Sequence, residues 1–213
     1  MTNRETVGKT VDAENRVTCE VRLVWQVDKL PVFYPLLERG VVVDTKLEKG
    51  VGATLCEALG ITTERLFQRI RAIFLDGKIV QDIDNTKVRQ GSTVAIGAVL
   101  TEPFLRCSLG FWGDSVKGET QGSQPQLYSD GLDGFFNLKI YNVLAKEFGP
   151  RLFRAGVGIR PELLEDFLGS RTDMFWHGMT KAEINGLEVS VDQLRQKRWL
   201  DEPGLVRLFL RGA

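Results

Sequence analysis

The residues of this chain whose types could do chemistry lie at its carboxyl end, where an apolar stretch leads into Arg211, Gly212 and Ala213. The stretch 205–210 predicts a strand, because it is rich in leucine, valine and phenylalanine. A short tail of small residues after a strand presents the terminal carboxylate where another protein can take hold of it. The carboxyl end is therefore a candidate working part. An ordinary strand end that frays beyond its last hydrogen bond is the competing interpretation.

The other reactive side chains form no recognisable catalytic arrangement. His177 is the only histidine, and no serine, cysteine or carboxylate pair is placed with it for nucleophilic or acid–base work. Cys19, Cys56 and Cys107 are odd in number and far apart, which fits neither a disulfide framework nor paired metal ligands. No glycine-rich phosphate-binding motif stands between a strand and a helix. We therefore expect no enzymatic activity, no cofactor and no metal.

Composition and charge exclude several classes of partner. The chain has 213 residues, and its 28 lysines and arginines balance 28 aspartates and glutamates, so no net field attracts nucleic acid or an anionic membrane. The basic cluster 195–198 is followed at once by Asp201 and Glu202, which favours a solvated loop. No apolar run approaches the roughly 18 residues that a membrane helix needs. We expect a globular cytoplasmic protein with no nucleic-acid or membrane partner.

An internal repeat organises the chain. The stretch 53–80 aligns without a gap with 162–189. The identical pairs are Leu55 and Leu164, Leu59 and Leu168, Gly60 and Gly169, Thr63 and Thr172, Gly77 and Gly186, and Val80 and Val189. Upstream, 37–43 matches 153–159, and the first strands match at 21–24 and 138–141. Two copies of one domain follow from these matches.

The repeat also preserves turn chemistry. Asp76-Gly77 in the first copy falls on Asn185-Gly186 in the second. Both dipeptides predict a two-residue hairpin turn, because its central residues need positive φ. In the first copy, a short helix at 53–59 should end at Gly60. A further helical turn should follow, with Thr62 or Thr63 as its N-cap.

These observations predict four segments. The stretch 113–134 is rich in glycine and polar residues, as in flexible linkers. The apolar residues of 104–112 should pack on the first domain or the domain interface, and exposure of these residues to a partner is the alternative. The segments are a mobile tail over 1–16, a first domain over 17–103, a linker over 104–134, and a second domain over 135–213.

Both copies resemble the β-grasp fold of ubiquitin and of the small sulfur-carrier proteins. The stretch 73–82 (IFLDGKIVQD) is similar to ubiquitin's strand, glycine turn and strand, and 91–96 (GSTVAI) to the start of its last strand. The stretch 205–213 (LVRLFLRGA) resembles ubiquitin's final strand and LRGG ending, and 138–149 (LKIYNVLAKEFG) the first strand and helix entry of sulfur carriers. The resemblance implies an α+β protein with two tandem ubiquitin-like domains, each a mixed sheet with a helix packed across it.

Two ubiquitin-like domains in one chain resemble the two-domain modifiers of interferon responses and of bacterial antiphage conjugation operons. That resemblance implies a role in antiviral defence through the terminal carboxylate. An activating enzyme would adenylate this carboxylate, which would then pass as a thioester to a conjugating enzyme. It would finally be joined to an amine of a target protein. Gly212 would carry this chemistry, because a glycine has no Cβ to hinder attack on its carbonyl, and Arg211 would be the basic handle before it. The family ends in glycine, so a processing protease would first remove Ala213, and a deconjugating protease would be a further partner.

The resemblance also implies a recognition surface at Phe74 and Lys78. Phe74 lies between Ile73 and Leu75, whose side chains should face the core, so its own should point outward. Cover of Phe74 by the linker aromatics is the alternative, and the matching residue of the second copy is Glu183. For the whole chain two other functions stay open. One is a non-conjugated adaptor, and the other is a sulfur carrier whose terminal carboxylate becomes a thiocarboxylate.

Overall fold

The computed structural model describes residues 16–98, 132–196 and 204–212, which form ten strands, seven α-helices and one 3-10 helix. The strands are β1 (Val17–Trp25), β2 (Val41–Leu47), β3 (Ala72–Leu75), β4 (Lys78–Ile79), β5 (Thr93–Gly97), β6 (Leu132–Ile140), β7 (Val157–Ile159), β8 (Met179–Ile184), β9 (Leu187–Glu188) and β10 (Leu205–Gly212). The helices are the 3-10 helix (Val27–Phe33), α1 (Tyr34–Arg39), α2 (Val51–Leu59), α3 (Thr63–Arg69), α4 (Val143–Ala155), α5 (Pro161–Gly169), α6 (Asp173–Trp176) and α7 (Val191–Arg195). The predicted α+β class with mixed strand pairing is confirmed.

The chain divides into two compact units. The central unit runs from Leu37 to Phe148, and the terminal unit combines the residues up to Leu36 with those from Gly149 onward. The predicted boundaries, 17–103 and 135–213, divide the chain differently. In the structure the segment 17–36 belongs with the second copy's strands, and 135–148 belongs with the first copy's strands.

The central unit is a five-stranded mixed sheet in the order β4-β3-β5-β6-β2. Strands β5 and β6 are parallel, from Thr93 opposite Asn137 to Ile96 opposite Ile140, and the other pairs are antiparallel. Helix α2 follows β2 and packs on it. The core side chains of the sheet and this helix are almost fully buried and include Val41, Leu55, Leu59, Val94, Ile96, Phe136, Leu138 and Ile140.

The terminal unit also contributes five strands of mixed direction, in the order β7-β10-β1-β8-β9. Strands β1 and β10 are parallel, and β8 and β7 flank them in antiparallel orientation. The two units differ in where the last strand of each repeat copy lies. In the central unit, β5, the last strand of the first copy, lies beside the hairpin strand β3. In the terminal unit β1 lies beside the hairpin strand β8, and β10, the last strand of the second copy, lies between β1 and β7. The core includes Val21, Leu23, Trp25, Phe33, Leu164, Phe167, Leu208 and Leu210.

The local features that the repeat predicts are present in both units. The turn residues Asp76 and Gly77 have φ of 49° and 78°, and Asn185 and Gly186 have φ of 50° and 81°. Each turn joins an antiparallel strand pair, β3–β4 and β8–β9. Helix α2 ends at Gly60 in the left-handed conformation, as predicted.

A helical segment follows each copy's first strand, and the first strands are exchanged between the copies. A two-residue hairpin would return a strand against its neighbour, but β1 is followed by the 3-10 helix and α1, and β6 by α4. Each first strand pairs in the unit that holds the other copy's remaining strands.

Part of the predicted linker is a strand. β6 begins at Leu132, and Gly134 pairs with Thr45 of β2. A Cβ at Gly134 would lie 2.3 Å from Leu47 Cδ1, so this glycine permits a close approach inside the sheet. The rest of the linker and the tail over 1–15 lie outside the described residues. Among the described helices, none has both the length and the apolar character needed to cross a membrane.

Candidate functional site

Arg211 and Gly212 are the last two described residues, and both belong to strand β10. Arg211 is paired with Val24 and Gly212 with Trp25 of the parallel neighbour β1. Both residues are exposed. The segment that the sequence predicts to be a tail is therefore strand up to Gly212, and Ala213 lies outside the described residues.

Gly212 also makes a close packing contact. A Cβ at this position would lie 2.5 Å from Val27 Cγ2 and 3.6 Å from Leu30 Cδ1, both on the 3-10 helix. A methyl group in that space would force Val27 to move. The glycine therefore has a structural role that sequence reasoning did not identify.

The side chains of β10 alternate between the core and the surface. Val206, Leu208 and Leu210 are buried, whereas Phe209 and Arg211 lie on the opposite, outward face. This outward face continues onto β1 and β8 through strand pairing. Arg22 is paired with Phe209 on one side and with Glu183 on the other. Val24 is likewise placed between Arg211 and Lys181. We call this surface the Phe209 face; it comprises Arg22, Val24, Lys181, Glu183, Phe209 and Arg211.

A cation–π contact lies at the centre of the Phe209 face. The guanidinium carbon of Arg22 lies 4.2 Å from the centroid of the Phe209 ring, and its Nε donates to Glu20 Oε1 at 2.6 Å. The ring rests on the backbone of Gly156, because a Cβ there would be 2.4 Å from Phe209 Cε1. Phe209 is thus held between a glycine below and an arginine beside it.

Ion pairs on the Phe209 face favour the charged forms of Lys181 and Glu183. Lys181 Nζ lies 2.7 Å from Glu183 Oε1 and 3.4 Å from Glu188 Oε2. The hydrogen bond with Glu183 raises the pKa of Lys181. The same bond is the largest cause of the lowered pKa of Glu183, and the charges of Arg22 and Arg211 lower it further. Both groups therefore keep their charges across the neutral pH range.

These side chains, together with Leu23, line a cavity of about 190 Å³ on the sheet surface. Arginine and aromatic side chains are enriched at the energetic centres of protein–protein interfaces. A partly exposed phenylalanine fixed in place loses little conformational freedom when a partner covers it. The arrangement is suited to recognition of another protein.

The predicted recognition pair Phe74 and Lys78 is divided by the structure. Lys78 is exposed, but Phe74 is only 6% exposed, which corrects the expectation that it is offered to a partner. Its neighbour Ile73 is 3% exposed and points to the other face, so both faces of β3 are covered. The alternative of cover by the linker aromatics falls outside the described residues.

The remaining candidate residues lie apart from the Phe209 face. His177 is exposed and follows the last residue of α6. Arg195 donates to Asp173 at 2.6 Å, while the other basic residues of its cluster and Trp199 lie outside the described residues. Burial raises the pKa of the Cys56 thiol, which the hydrogen bond with Thr63 partly offsets, and Cys19 is buried. Across the described ranges, no three metal-ligating side chains are grouped to hold an ion.

The Phe209 face was only partly accessible from the sequence. The alternation in 205–211 could have separated the outward residues Phe209 and Arg211 from the inward leucines. The neighbours Arg22 and Glu183 come from distant parts of the chain and depend on the strand exchange. No short-range signal predicts that pairing.

Comparison with family models, with characterised proteins and with solved structures found no match to this chain in any of the three.

Proposed function

We propose that this chain is an interaction protein of two β-grasp units, which acts by presenting surfaces to partner proteins. The Phe209 face is the observation that carries the proposal. It combines an oriented aromatic ring, three cationic side chains and a carboxylate on one exposed sheet surface.

The arrangement of elements supports a β-grasp description of each unit. Each sheet has a parallel central pair, β5 with β6 or β1 with β10, flanked by antiparallel strands. Helix α2 directly follows strand β2 in the central unit, and helix α5 directly follows strand β7 in the terminal unit. In each unit a hairpin with a glycine turn follows farther along the chain. These are the elements that the resemblance to ubiquitin implies, with the first strands exchanged between the copies. In the terminal unit, the first strand β1 and the last strand β10 also stand in each other's places relative to the central unit.

The pairing of the carboxyl-terminal strand favours the adaptor over the modifier. An activating enzyme would need the end of the chain as an extended, accessible segment. Here Arg211 and Gly212 are in register with Val24 and Trp25, and Gly212 packs closely on Val27. A chain that acts through its folded surfaces needs no such release.

A ubiquitin-like modifier that acts through Gly212 after loss of Ala213 is the second candidate, because a specific observation favours it. Strand β7 pairs with β10 only from Val206 to Leu208, so within the described residues Arg211 and Gly212 are paired on one side alone. Freeing these two residues would forfeit about two backbone hydrogen bonds, each worth about 1 kcal/mol net. An activating enzyme could supply that much on binding. The modifier would further need a conjugating enzyme, a processing protease and target proteins.

One experiment separates these functions and the sulfur carrier. The full chain, tagged at its amino end, is purified from the cell that makes it, and its intact mass and covalent adducts are measured. The adaptor predicts an unmodified carboxyl end and partners lost in F209S but kept in L187S, which makes the same kind of change at an exposed apolar residue of the same unit. A ladder of heavier species that disappears in G212A would instead establish the modifier. Replacement of a carboxylate oxygen by sulfur would establish the carrier.

A further inference from the structure

The terminal unit has a second open surface, which shares no lining residue with the Phe209 face. It is a groove of about 330 Å³ between the 3-10 helix and α6. We call it the Met174 groove; it is lined by Trp25, Lys29, Val32, Ser170, Arg171, Thr172, Met174 and Phe175.

The floor of the Met174 groove is aromatic and fixed. The rings of Trp25 and Phe175 have centroids 4.7 Å apart, and Phe33 lies 5.5 Å from Phe175. Trp25 and Phe33 are completely buried, so packing on all sides holds them. The groove is consequently formed before any ligand binds, and ordering it adds little to the free energy needed for binding.

The rim of the groove carries an exposed apolar side chain. Met174, the second residue of α6, is 78% exposed, although methionine side chains are usually at least partly buried. A flexible thioether at the edge of an aromatic groove can adapt to the shape of an apolar side chain that enters it. Met174 is therefore placed to close over such a side chain.

Among the described residues that line the groove, the two charged ones are cations. Arg171 is held in place because its Nε donates to the Phe167 carbonyl oxygen at 3.1 Å and its guanidinium lies 4.0 Å from the Phe167 ring centroid. A guanidinium has five N–H donors, so this bond leaves donors for another acceptor. Lys29 is the second cation. The acids next to these cations in sequence are Asp28, which adjoins Lys29, and Asp173, which is bonded to Arg195 at 2.6 Å. Neither is among the described residues that line the groove.

We infer that the Met174 groove binds a short peptide segment of a partner protein in which an apolar side chain is flanked by carboxylates. The apolar side chain enters between Met174 and Phe175, and the carboxylates meet Lys29 and Arg171. A peptide fits better than a small molecule, because sites for small molecules enclose most of the ligand's surface and this groove is open on the side of Met174. A peptide anchors one side chain and continues across the rim.

The test uses the full chain with its methionine methyl groups labelled with carbon-13, titrated with three short capped peptides. The first carries a leucine between two glutamates, the second a serine in place of the leucine, and the third lysines in place of the glutamates. We expect the first peptide to shift the Met174 methyl signal. The other two should bind at least about tenfold more weakly, the factor that corresponds to roughly 1.4 kcal/mol.

Two variants and a control make the assignment specific. M174D, whose binding is followed by isothermal titration calorimetry because it lacks the reporting methyl group, and K29E should each weaken binding of the first peptide at least tenfold. L187D, a change of an exposed leucine on β9, should leave it unchanged. The Met179 signal reports that each variant is folded. K29E leaves Met174 in place, so it tests the charge requirement separately.

Four results would overturn the inference. The first is no shift of the Met174 signal up to the solubility limit of the first peptide, and the second is binding of the lysine peptide as tightly as the first peptide. The third is equally tight binding of free isovalerate, a small branched carboxylate added as a separate probe. The fourth is a shift of the Met174 signal that depends on protein concentration when no peptide is present. The last two would assign the groove to a small carboxylate or to a second copy of the chain. None of them bears on the Phe209 face, which has different residues.

Discussion

Gly212 and Val27 lie so close together that a Cβ at position 212 would be 2.5 Å from Val27 Cγ2. Glycine at this position is therefore explained by packing alone. A substitution meant to test chemistry at Gly212 also disturbs the contact between β10 and the 3-10 helix. The two effects can be separated, because Val27 is 60% exposed and its methyl group can be removed without opening a cavity in the core.

Replacing Gly212 with alanine should lower the free energy of unfolding by about 0.5–1 kcal/mol, since the exposed Val27 can turn aside at modest cost. The double variant G212A/V27A should recover most of that loss, because the contacting methyl group is gone. Urea unfolding of both variants measures the difference. Under the modifier, the double variant would be stable and still unable to form adducts. A double variant as unstable as the single one would show that the contact is not the cause.

Gly156→Ala should be far more destabilising than Gly186→Ala. Both glycines have positive φ, 90° and 81°, so both variants incur backbone strain of about 1 kcal/mol. Only at Gly156 would the new Cβ meet a ring, that of Phe209, whereas nothing lies within 4 Å at Gly186. Overpacking should add about 1–3 kcal/mol at Gly156. Equal losses in thermal or urea unfolding would contradict the close seating of the Phe209 ring on Gly156.

Thr54→Val should stabilise the central unit by about 1 kcal/mol. Thr54 is completely buried in α2, and within the described residues its Oγ1 has no hydrogen-bond partner. Valine has nearly the same shape and removes a buried hydroxyl whose desolvation is uncompensated. The control Thr54→Ser keeps the hydroxyl and loses the methyl group, so it should be destabilising. Chemical denaturation distinguishes them, and a stability loss in T54V would reveal a partner for the hydroxyl.

Glu147 should make the stability of the central unit depend on acid pH. It accepts hydrogen bonds from Arg65 at 2.8 Å and Arg69 at 2.6 Å. Burial alone would raise the pKa of Glu147, but the bonds and charges of Arg69 and Arg65 outweigh it and lower the pKa below its usual value. These bonds stabilise the folded state by about 1 kcal/mol, a small value because both arginines are half exposed. This stabilisation is fully present above the pKa of a glutamate in the unfolded chain, about 4.3. It is lost as pH falls through the folded value.

The measurement for Glu147 is unfolding free energy as a function of pH in the wild type and in E147Q. The variant should lose about 1 kcal/mol at neutral pH and show a shallower decline in acid. D133N is the control at neutral pH, because Asp133 pairs with Lys46 but is 87% exposed, where ion pairs contribute little. Parallel pH curves for the wild type and E147Q would mean that another carboxylate causes the decline.

The local structure was largely predictable, because it depends on residues near in sequence. The turn glycines Gly77 and Gly186 and the helix end at Gly60 have the conformations that their residue types indicate. Helix α7 was missed although it has a capping box, in which Ser190 accepts from the Gln193 backbone and Gln193 bonds back. That signal could have been found. Helix α4 contains Pro150, which obscures the helical pattern.

The strand exchange could not be predicted from the sequence, because β1 and β6 are alternative partners for the same strands. Their matching at 21–24 and 138–141 means that each has the apolar side chains to fill either sheet. For the same reason the sequence could list Phe209 and Arg211 as outward residues but could not place Arg22 between Phe209 and Glu183.

The exchange of first strands sets a problem of timing during synthesis. Strand β1 leaves the ribosome first, but its parallel partner β10 is made last, more than a hundred residues later. While β6 is still unmade, its place beside β2 and β5 is empty, and β1 is the repeat's own counterpart of β6. We expect nascent chains to populate an intermediate in which β1 is paired with β2 and β5, and from which β6 must displace it. The rate of folding would then depend on how fast β1 dissociates from these strands.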